Sequence, residues 1–298
     1  MAKIVTVVIP TYKNRGGLIR AVKSVLVQDY NNVEVIVVDD NPPESKERTE
    51  TEMQMVEFAD DSRVVYIKHP HNRNGAAARN TGIKASKGEY IAFLDDDDLF
   101  LRGKLDKQVV YLNNHPEYDG VYCMAQRKNK PYGNDKSEGD CTREMLMLQT
   151  CIYTPCQMFR REAIEQINGY DEKFRRHQDF DLLLRFFHAG FKIGCLPEIL
   201  TEIGTNEGEN IPSGKKMEEM KAYFFEKFMP YIEEIDAKEH GFKNKVLAKH
   251  YAGVFLNHVK HKEIKMAVKT FCKYSVKSPV VFFKVIKDSA LLHLKGEA

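Results

Sequence analysis

Four apolar runs in the first hundred residues constrain the fold more than any other feature of the chain. They are rich in β-branched and aromatic residues and occupy residues 4–9, 33–38, 63–67 and 90–94. Segments with helical spacing of apolar residues, 18–27 and 75–86, lie between them. Strands that are apolar on both faces and alternate with helices predict a mostly parallel, Rossmann-like α/β sheet covered on both sides.

Polar and acidic residues follow three of these strands directly. They are Pro10, Thr11 and Tyr12 after the first, Asp39 and Asp40 after the second, and Asp95 to Asp98 after the fourth. Because ligands of parallel sheets bind outside the carboxyl ends of the strands, we expect these residues to share one crevice. The alternative for Asp39 and Asp40 is a turn that begins at Asn41.

The run Asp95 to Asp98 places four carboxylates side by side. They repel one another unless a cation lies among them, and carboxylate oxygens suit Mg²⁺ or Mn²⁺. The alternative is that Asp98 caps a helix over residues 99–113 and the other three face water. We expect Asp98 to be that cap.

The rest of the chain suggests two regions. We predict a strand over residues 154–159 and a helix over 180–188, and the Gly-, Asn- and Glu-rich residues 202–214 end the α/β region. Helical spacing dominates beyond residue 215. The predicted domains are therefore residues 1–210 and a helical, basic extension, residues 215–298.

Composition narrows the cellular setting. The six cysteines form no C-x-x-C pair, which favours reduced thiols over a disulfide framework. We find neither a signal peptide nor an apolar run long enough to span a bilayer. We expect a cytoplasmic protein without a nucleic-acid partner.

The C-terminal residues 241–298 contain twelve lysines and only three acidic residues. These lysines either solvate the outer faces of helices or lie against anionic lipid, which attracts each nearby lysine by roughly 1 kcal/mol. The neighbouring apolar residues 280–283 favour peripheral contact with the inner face of a membrane.

Five motifs, taken in chain order, resemble those of the family 2 glycosyltransferases. They are VVIPTY at 7–12, VVDDN at 37–41, AARNTG at 77–82, FLDDDD at 93–98 and DFDLLLR at 179–185. The third has a shorter spacing before its Ala-Arg-Asn core than the family pattern. The resemblance spans about residues 3–205 and implies the GT-A nucleotide-diphospho-sugar transferase fold, a nucleotide-sugar donor, a divalent metal and inversion at the anomeric carbon.

The resemblance places the donor base beside the first two strands. Asp40 would accept the hydrogen bond of the uracil imide N–H, and a carboxylate is a suitable acceptor for that donor. Thr11 and Tyr12, together with Pro10, would line the same pocket.

The fourth motif maps onto an Asp-x-Asp pair formed by Asp95 and Asp97. Asp95 would serve the ribose or the metal, Asp97 would bind the metal, and Asp96 occupies the variable position on the donor side. Arg79 would meet the nucleotide or, equally well, an internal carboxylate.

Asp179 is the catalytic base that the resemblance implies, since inverting transfer needs a carboxylate to remove the proton of the acceptor hydroxyl. Gln178 stands where the family has Glu, which removes a negative neighbour and should lower the pKa of Asp179. The alternative is that Asp179 and Asp181 cap a helix. The loop after Pro197, where relatives often carry a histidine, has none, which puts a third protein ligand for the metal in doubt.

These observations predict a metal-dependent inverting transferase that moves a sugar from a UDP-sugar to a glycan or lipid-linked acceptor in surface polysaccharide biosynthesis. The alternative function is a catalytically silent protein that binds nucleotide sugars or acts as a scaffold. The absence of G-x-G-x-x-G after the first strand disfavours a dinucleotide oxidoreductase.

Overall fold

The computed structural model describes residues 3–13, 16–133, 136–174, 177–204 and 214–294. The chain divides into two units, each packed mainly against itself. The first unit contains residues 1–142 and 150–206, and the second contains residues 143–149 and 207–298.

The described part of the first unit contains one sheet of nine strands. The strands are β1 Val5–Thr11, β2 Val33–Asp39, β3 Val64–Lys68, β4 Tyr90–Phe93, β5 Leu99–Phe100, β6 Gly120–Arg127, β7 Lys130–Tyr132, β8 Gln157–Arg160 and β9 Ile193–Glu202. Their order in the sheet is β3-β2-β1-β4-β8-β6-β9-β5, with β7 paired to β6. Strands β3, β2, β1 and β4 run parallel to one another, β6 and β9 are also parallel, and the remaining pairings are antiparallel.

Helices connect the strands and form the second unit. In the described residues they are α1 Leu18–Leu26, α2 Lys46–Met55, α3 Gly75–Ala85, α4 Lys104–Asn114, α5 Thr142–Leu146, α6 Arg161–Gln166, α7 Gln178–His188, α8 Gly214–Lys238, α9 Phe242–Lys260, α10 Ile264–Tyr274 and α11 Pro279–Leu294.

The parallel half of the sheet is buried on both faces, as the apolar runs predicted. On one face, Val7 and Val35 pack with Val22 of α1 in the main core. On the other face, Ile36 packs with Ala78 of α3. Alternate strand residues therefore reach opposite helical layers, and each fully buried Val or Ile contributes about 1.5–3 kcal/mol.

The antiparallel half differs from the sequence prediction in several places. Residues 99–113 are not one helix, because Leu99 and Phe100 pair with Thr201 and Glu202 as β5 and β9 before α4 begins at Lys104. The strand predicted at 154–159 begins only at Gln157 and follows a short 3₁₀ turn over residues 154–156. The sequence predicted no strand at β9, whose pairing with β6 shifts register on both sides of Met124.

The described helices of the second unit pack through their own apolar core. Phe228 and Ile232 of α8 are buried, and Ala248 and Ala252 of α9 surround the buried Phe282 of α11. No helix in the described ranges combines the length and the apolar character needed to cross a membrane.

Candidate active site

A cavity of about 250 Å³ lies at the carboxyl ends of β1, β2 and β4, beside the first turns of α3. All the residues that the sequence predicted for donor and metal contacts line this cavity. They are Pro10, Thr11, Tyr12, Asp40, Arg79, Asp95, Asp96 and Asp97. The fold thus brings the three strand ends together, while the roles assigned to these residues stay predictions.

The Asp40 carboxylate organises the loop that follows β3. Its Oδ1 lies 2.7 Å from His69 Nδ1 and accepts a hydrogen bond from the Arg73 backbone N–H at 2.8 Å. Its Oδ2 accepts hydrogen bonds from Asn72 Nδ2 and the Asn74 backbone N–H, both at 2.8 Å. Two contacts at each oxygen fill the usual acceptor capacity of a carboxylate. A uracil imide would have to displace one of these donors.

Asp39 is fully buried and has a structural role. Its Oδ2 lies 3.0 Å from Arg48 Nε and accepts the Tyr66 hydroxyl hydrogen bond at 2.6 Å. Its Oδ1 accepts the Asn41 backbone N–H at 2.9 Å. The turn at Asn41 that the sequence offered as an alternative is therefore present, and Asp39 holds it.

Arg79 joins the acidic run to helix α7. Its Nη2 donates to Asp95 Oδ1 at 2.5 Å, and its Nη1 donates to Gln178 Oε1 at 2.9 Å. The guanidinium carbon lies 5.4 Å from the ring centroid of Tyr170. Arg79 thus combines both alternatives, because it lines the cavity and also forms an ion pair with Asp95, in which the Arg79 side chain is largely buried and the Asp95 side chain is partly exposed.

The middle of the acidic run is held by close packing on two sides. Thr11 Oγ1 donates to Asp96 Oδ2 at 2.6 Å, which links the end of β1 to the run. A Cβ at Gly17 would lie 2.4 Å from the Asp96 carbonyl oxygen. A Cβ at Gly204 would lie 2.9 Å from Asp97 Oδ2. Neither glycine position has room for a side chain.

Asp98 does not cap a helix, so that prediction was wrong. Helix α4 begins at Lys104, and its N-cap is Gly103 with φ 79°. Asp98 is instead buried, and its Oδ1 accepts the Gly204 backbone N–H at 2.7 Å. Burial and repulsion from the three preceding carboxylates raise the pKa of Asp98 to about 8. Asp98 therefore links the acidic run to the residues that follow β9.

Asp179 lies in the first turn of α7 and is partly buried. Its Oδ1 accepts the Phe180 backbone N–H at 2.8 Å. Desolvation raises the pKa of Asp179, the Arg79 charge opposes this rise, and the Asp95 charge adds to it. A carboxylate with a raised pKa is better matched to proton abstraction than an ordinary aspartate.

The helix-capping alternative for Asp179 and Asp181 describes the start of α7 only in part, because neither residue is the N-cap but Asp179 accepts the first-turn Phe180 N–H. The N-cap residue is His177, with φ 53°, and its side chain makes no capping hydrogen bond. Asp181 is fully buried and lies 2.9 Å from Arg185 Nη2. Arg185 in turn donates to the Gly169 carbonyl at 2.7 Å. Asp181 therefore fixes α7 to the preceding turn.

Sequence reasoning did not assign the residues that hold Arg79 in place. Asn80 Nδ2 donates to the Tyr170 carbonyl at 2.9 Å, and Asn80 Oδ1 accepts the Tyr170 N–H at 2.8 Å. These bonds keep Tyr170 beside Arg79. Gln178 also holds Arg79, because its Oε1 accepts a hydrogen bond from the guanidinium. Two sequence features could have indicated these residues. They are the Ala-Arg-Asn core of the third motif and Gln178, which stands where the family has Glu.

The carboxylate oxygens of the acidic run are the kind of ligand that a hard divalent cation prefers. The described residues contain no group of three or more His, Cys, Asp or Glu side chains arranged for a metal. Mg²⁺ often binds through one or two carboxylates and completes its shell with water and substrate phosphate. Asp95 and Asp97 have the carboxylate oxygens that such a shared site would use. Residues 205–213, which contain most of the loop where relatives carry a histidine, lie outside the described residues.

Comparison with known proteins agrees with this geometry. The family model described as glycosyl transferase family 2 matches residues 6–168. The chain belongs to this family. It is a glycosyltransferase with a GT-A-like fold and a helical C-terminal region.

The relatives are distant in sequence. An uncharacterised glycosyltransferase of Methanocaldococcus jannaschii is 27% identical over 229 residues, which cover 74% of this chain and 77% of the relative. The amylovoran biosynthesis glycosyltransferase AmsB of Erwinia amylovora is 27% identical over 228 residues, or 69% of this chain and 73% of that protein. The structure of S. aureus TarS in complex with UDP-GlcNAc aligns with a TM-score of 0.59 and 14% identity over 90% of this chain and 89% of that one.

Proposed function

We propose that this glycosyltransferase moves a sugar from a UDP-sugar to a hydroxyl of a glycan or lipid-linked acceptor, with inversion and with a divalent cation. The UDP-GlcNAc in the TarS complex supports the choice of nucleotide. The role of AmsB in amylovoran biosynthesis supports a polysaccharide pathway.

The contact between Arg79 and both sides of the site carries this proposal. One guanidinium binds Asp95 at the donor edge and Gln178, the immediate neighbour of Asp179. The proposed base therefore lies close to the carboxylates of the acidic run. Transfer requires the bound donor and the acceptor to be held close together in this way.

In the proposed reaction, the acceptor oxygen attacks the anomeric carbon of the donor sugar while Asp179 takes the hydroxyl proton. The bond from the anomeric carbon to the diphosphate oxygen breaks, and UDP leaves on the opposite face. The raised pKa of Asp179 favours its holding that proton until products separate.

Asp97 and Asp95 would hold the divalent cation. When bound, the cation would offset the negative charge that develops on the leaving diphosphate. Thr11 would keep Asp96 in place at the same edge through its hydrogen bond.

Calorimetric titration of UDP, with and without Mn²⁺, tests the donor and metal parts of the proposal. We expect Mn²⁺ to strengthen UDP binding. Failure of the cation to affect UDP affinity would reject the metal site. A screen of nucleotide sugars for release of free nucleotide would then identify the donor, and release only from non-uridine donors would reject UDP.

Asp179→Asn tests the base. Removal of a general base lowers the rate by roughly 10²–10⁴-fold. We expect that loss in transfer, with UDP affinity nearly unchanged. Asp181→Asn is the matched control on the same helix, because it should lower the melting temperature yet leave the activity of the folded fraction. Full turnover by Asp179→Asn would remove Asp179 from the role of base.

A further inference from the structure

Helix α10 and the turn after it repeat an apolar residue followed by lysine every four positions. The pairs are Ile264-Lys265, Val268-Lys269, Cys272-Lys273 and Val276-Lys277. A spacing of four places the first three members of each set on one side of α10, and the fourth pair lies in the turn after it. The three aliphatic residues are 62%, 57% and 70% exposed in chain order, and the four lysines are also exposed. We call these eight residues the α10 stripe.

Helix α11 continues the same character. Val280 is 81% exposed, and Phe283 and Leu291 are also exposed. Lys284 and Lys287 lie among them and are exposed too.

Packing within the second unit does not require these outward side chains. Phe282 fills the core from the inner side of α11, together with Ala248 and Ala252. Tyr274 at the end of α10 stacks on Tyr251 with a centroid distance of 3.6 Å. The inner faces of both helices are therefore already packed. Phe283 also makes ring contacts with Phe271 and Phe282. The other outward apolar residues belong to no described core cluster; they are Ile264, Val268, Val276, Val280 and Leu291.

The stripe lysines differ from two lysines at the start of α9 in their charge partners. On α9, Lys243 lies 2.6 Å from Glu233 and Lys245 lies 3.0 Å from Glu239, so these lysines are neutralised by α8 and its C-terminal turn. The four stripe lysines form no ion pair with a carboxylate of the described residues. The stripe therefore combines uncompensated positive charge with exposed apolar side chains.

We propose that the α10 stripe and the outer face of α11 dock on the surface of a bilayer that contains anionic lipid. The apolar residues would enter the boundary between headgroups and acyl chains, and the lysines would extend to the phosphates. Nucleic acid fits less well, because the exposed aliphatic residues have no partner there and residues 241–298 contain no arginine. The inference goes beyond the transfer reaction and does not depend on it.

Sedimentation of the full-length protein with vesicles tests the docking surface. The vesicles are phosphatidylcholine alone or phosphatidylcholine mixed with phosphatidylglycerol. We expect binding only to the mixed vesicles and a marked loss of binding at high salt. Equal partitioning to both vesicle types, or none to either, would overturn the proposal.

Two triple variants distinguish binding through the α10 stripe from an effect of the total charge of the protein. The triple variant Lys265→Glu, Lys269→Glu and Lys273→Glu should bind mixed vesicles at least about 100-fold more weakly. The charge-matched control Lys84→Glu, Lys136→Glu and Lys216→Glu changes three exposed lysines elsewhere and should retain most of the binding. An equal loss in both variants would reject a defined surface.

The apolar half of the stripe is tested separately by Ile264→Ser, Val268→Ser and Val276→Ser, which keep every charge. We expect roughly tenfold weaker binding to mixed vesicles. Unchanged binding would mean that no side chain inserts and would overturn the proposed mode. UDP affinity, measured on the same samples, should be unaffected in all variants, so failure of the donor proposal and failure of the lipid proposal remain distinguishable.

Discussion

The acidic ends of β2 and β4 contain the same residue type in different electrostatic settings. At β2, Asp39 is paired with Arg48, and Asp40 is bound by four donors of the loop over residues 69–74. At β4, Arg79 pairs with Asp95 in a run of four carboxylates, and burial together with the neighbouring negative charges raises the pKa of Asp98. The carboxylates of the first end are bound by side chains and backbone groups of the protein, and the second end is the one at which we propose that a cation binds.

This difference indicates how an acidic strand end becomes a ligand site. A carboxylate whose lone pairs are filled by protein donors stabilises the fold and shapes a cavity wall. A run with more negative charge than its neighbours compensate gains free energy when a cation binds. The acidic end of β4 is the better candidate for direct contact with metal and diphosphate.

Asp39→Ala should give the largest effect on stability. It leaves the buried Arg48 without its carboxylate partner, and loss of one partner of a buried ion pair costs about 3–5 kcal/mol. Urea denaturation would measure the loss of unfolding free energy. A loss of unfolding free energy below about 1 kcal/mol would mean that the carboxylate at the β2 end does not stabilise the fold.

Asp97→Ala should instead affect activity. We expect a loss of about 100-fold in transfer, equivalent to roughly 2.7 kcal/mol in the barrier, because a proposed cation ligand is removed. The unfolding free energy should change by less than about 1 kcal/mol, since removal of one charge relieves repulsion. Steady-state rates at several Mn²⁺ concentrations would measure the effect, and an unaltered metal dependence would contradict it.

Asp40→Asn sharpens the comparison within the β2 end. The amide cannot accept from all four donors, and one buried donor left without a partner costs about 1–3 kcal/mol. Thermal denaturation together with UDP titration would measure both consequences. Loss of UDP affinity without loss of stability would favour the predicted contact between Asp40 and uracil over the loop-organising role.

Gln178→Glu should give the smallest effect and tests the link between the β4 end and α7. A new negative charge beside Asp179 favours its protonated form and raises its pKa. Because the base must be deprotonated, the acid limb of the pH–rate profile should move to higher pH, by roughly 0.5–1 unit. The uncharged Gln178→Leu, which removes the acceptor of the Arg79 hydrogen bond, should lower the rate without that shift. A move of the limb to lower pH would contradict the assigned electrostatics.

The parallel half of the fold was predictable because its strands are continuous apolar runs, and a general topological rule places their ends together. The antiparallel half was harder to predict. β5 has only two residues, and β9 contains Pro197 and pairs irregularly with β6, so neither produces a clear periodic signal. Long-range pairing, rather than local preference, determines these strands.

The residue types at the site were predictable, but the hydrogen-bond partners of their side chains were not. Asp98 resembled a helix cap locally, yet its partner is the backbone of Gly204, more than a hundred residues away in sequence. The donors to Asp40 likewise come from a loop about 30 residues downstream. Such contacts depend on the tertiary fold and leave no local pattern in the sequence.

Gly17 and Gly204 offer a way to separate binding functions by design. A single methyl group at either position would press on the Asp96 or Asp97 backbone without changing any charged group. Gly17→Ala or Gly204→Ala should therefore displace the acidic run while Asp179, Arg79 and the second unit keep their side chains. An enzyme that no longer binds the donor but still binds the acceptor could be used to isolate that acceptor, because no transfer would consume it.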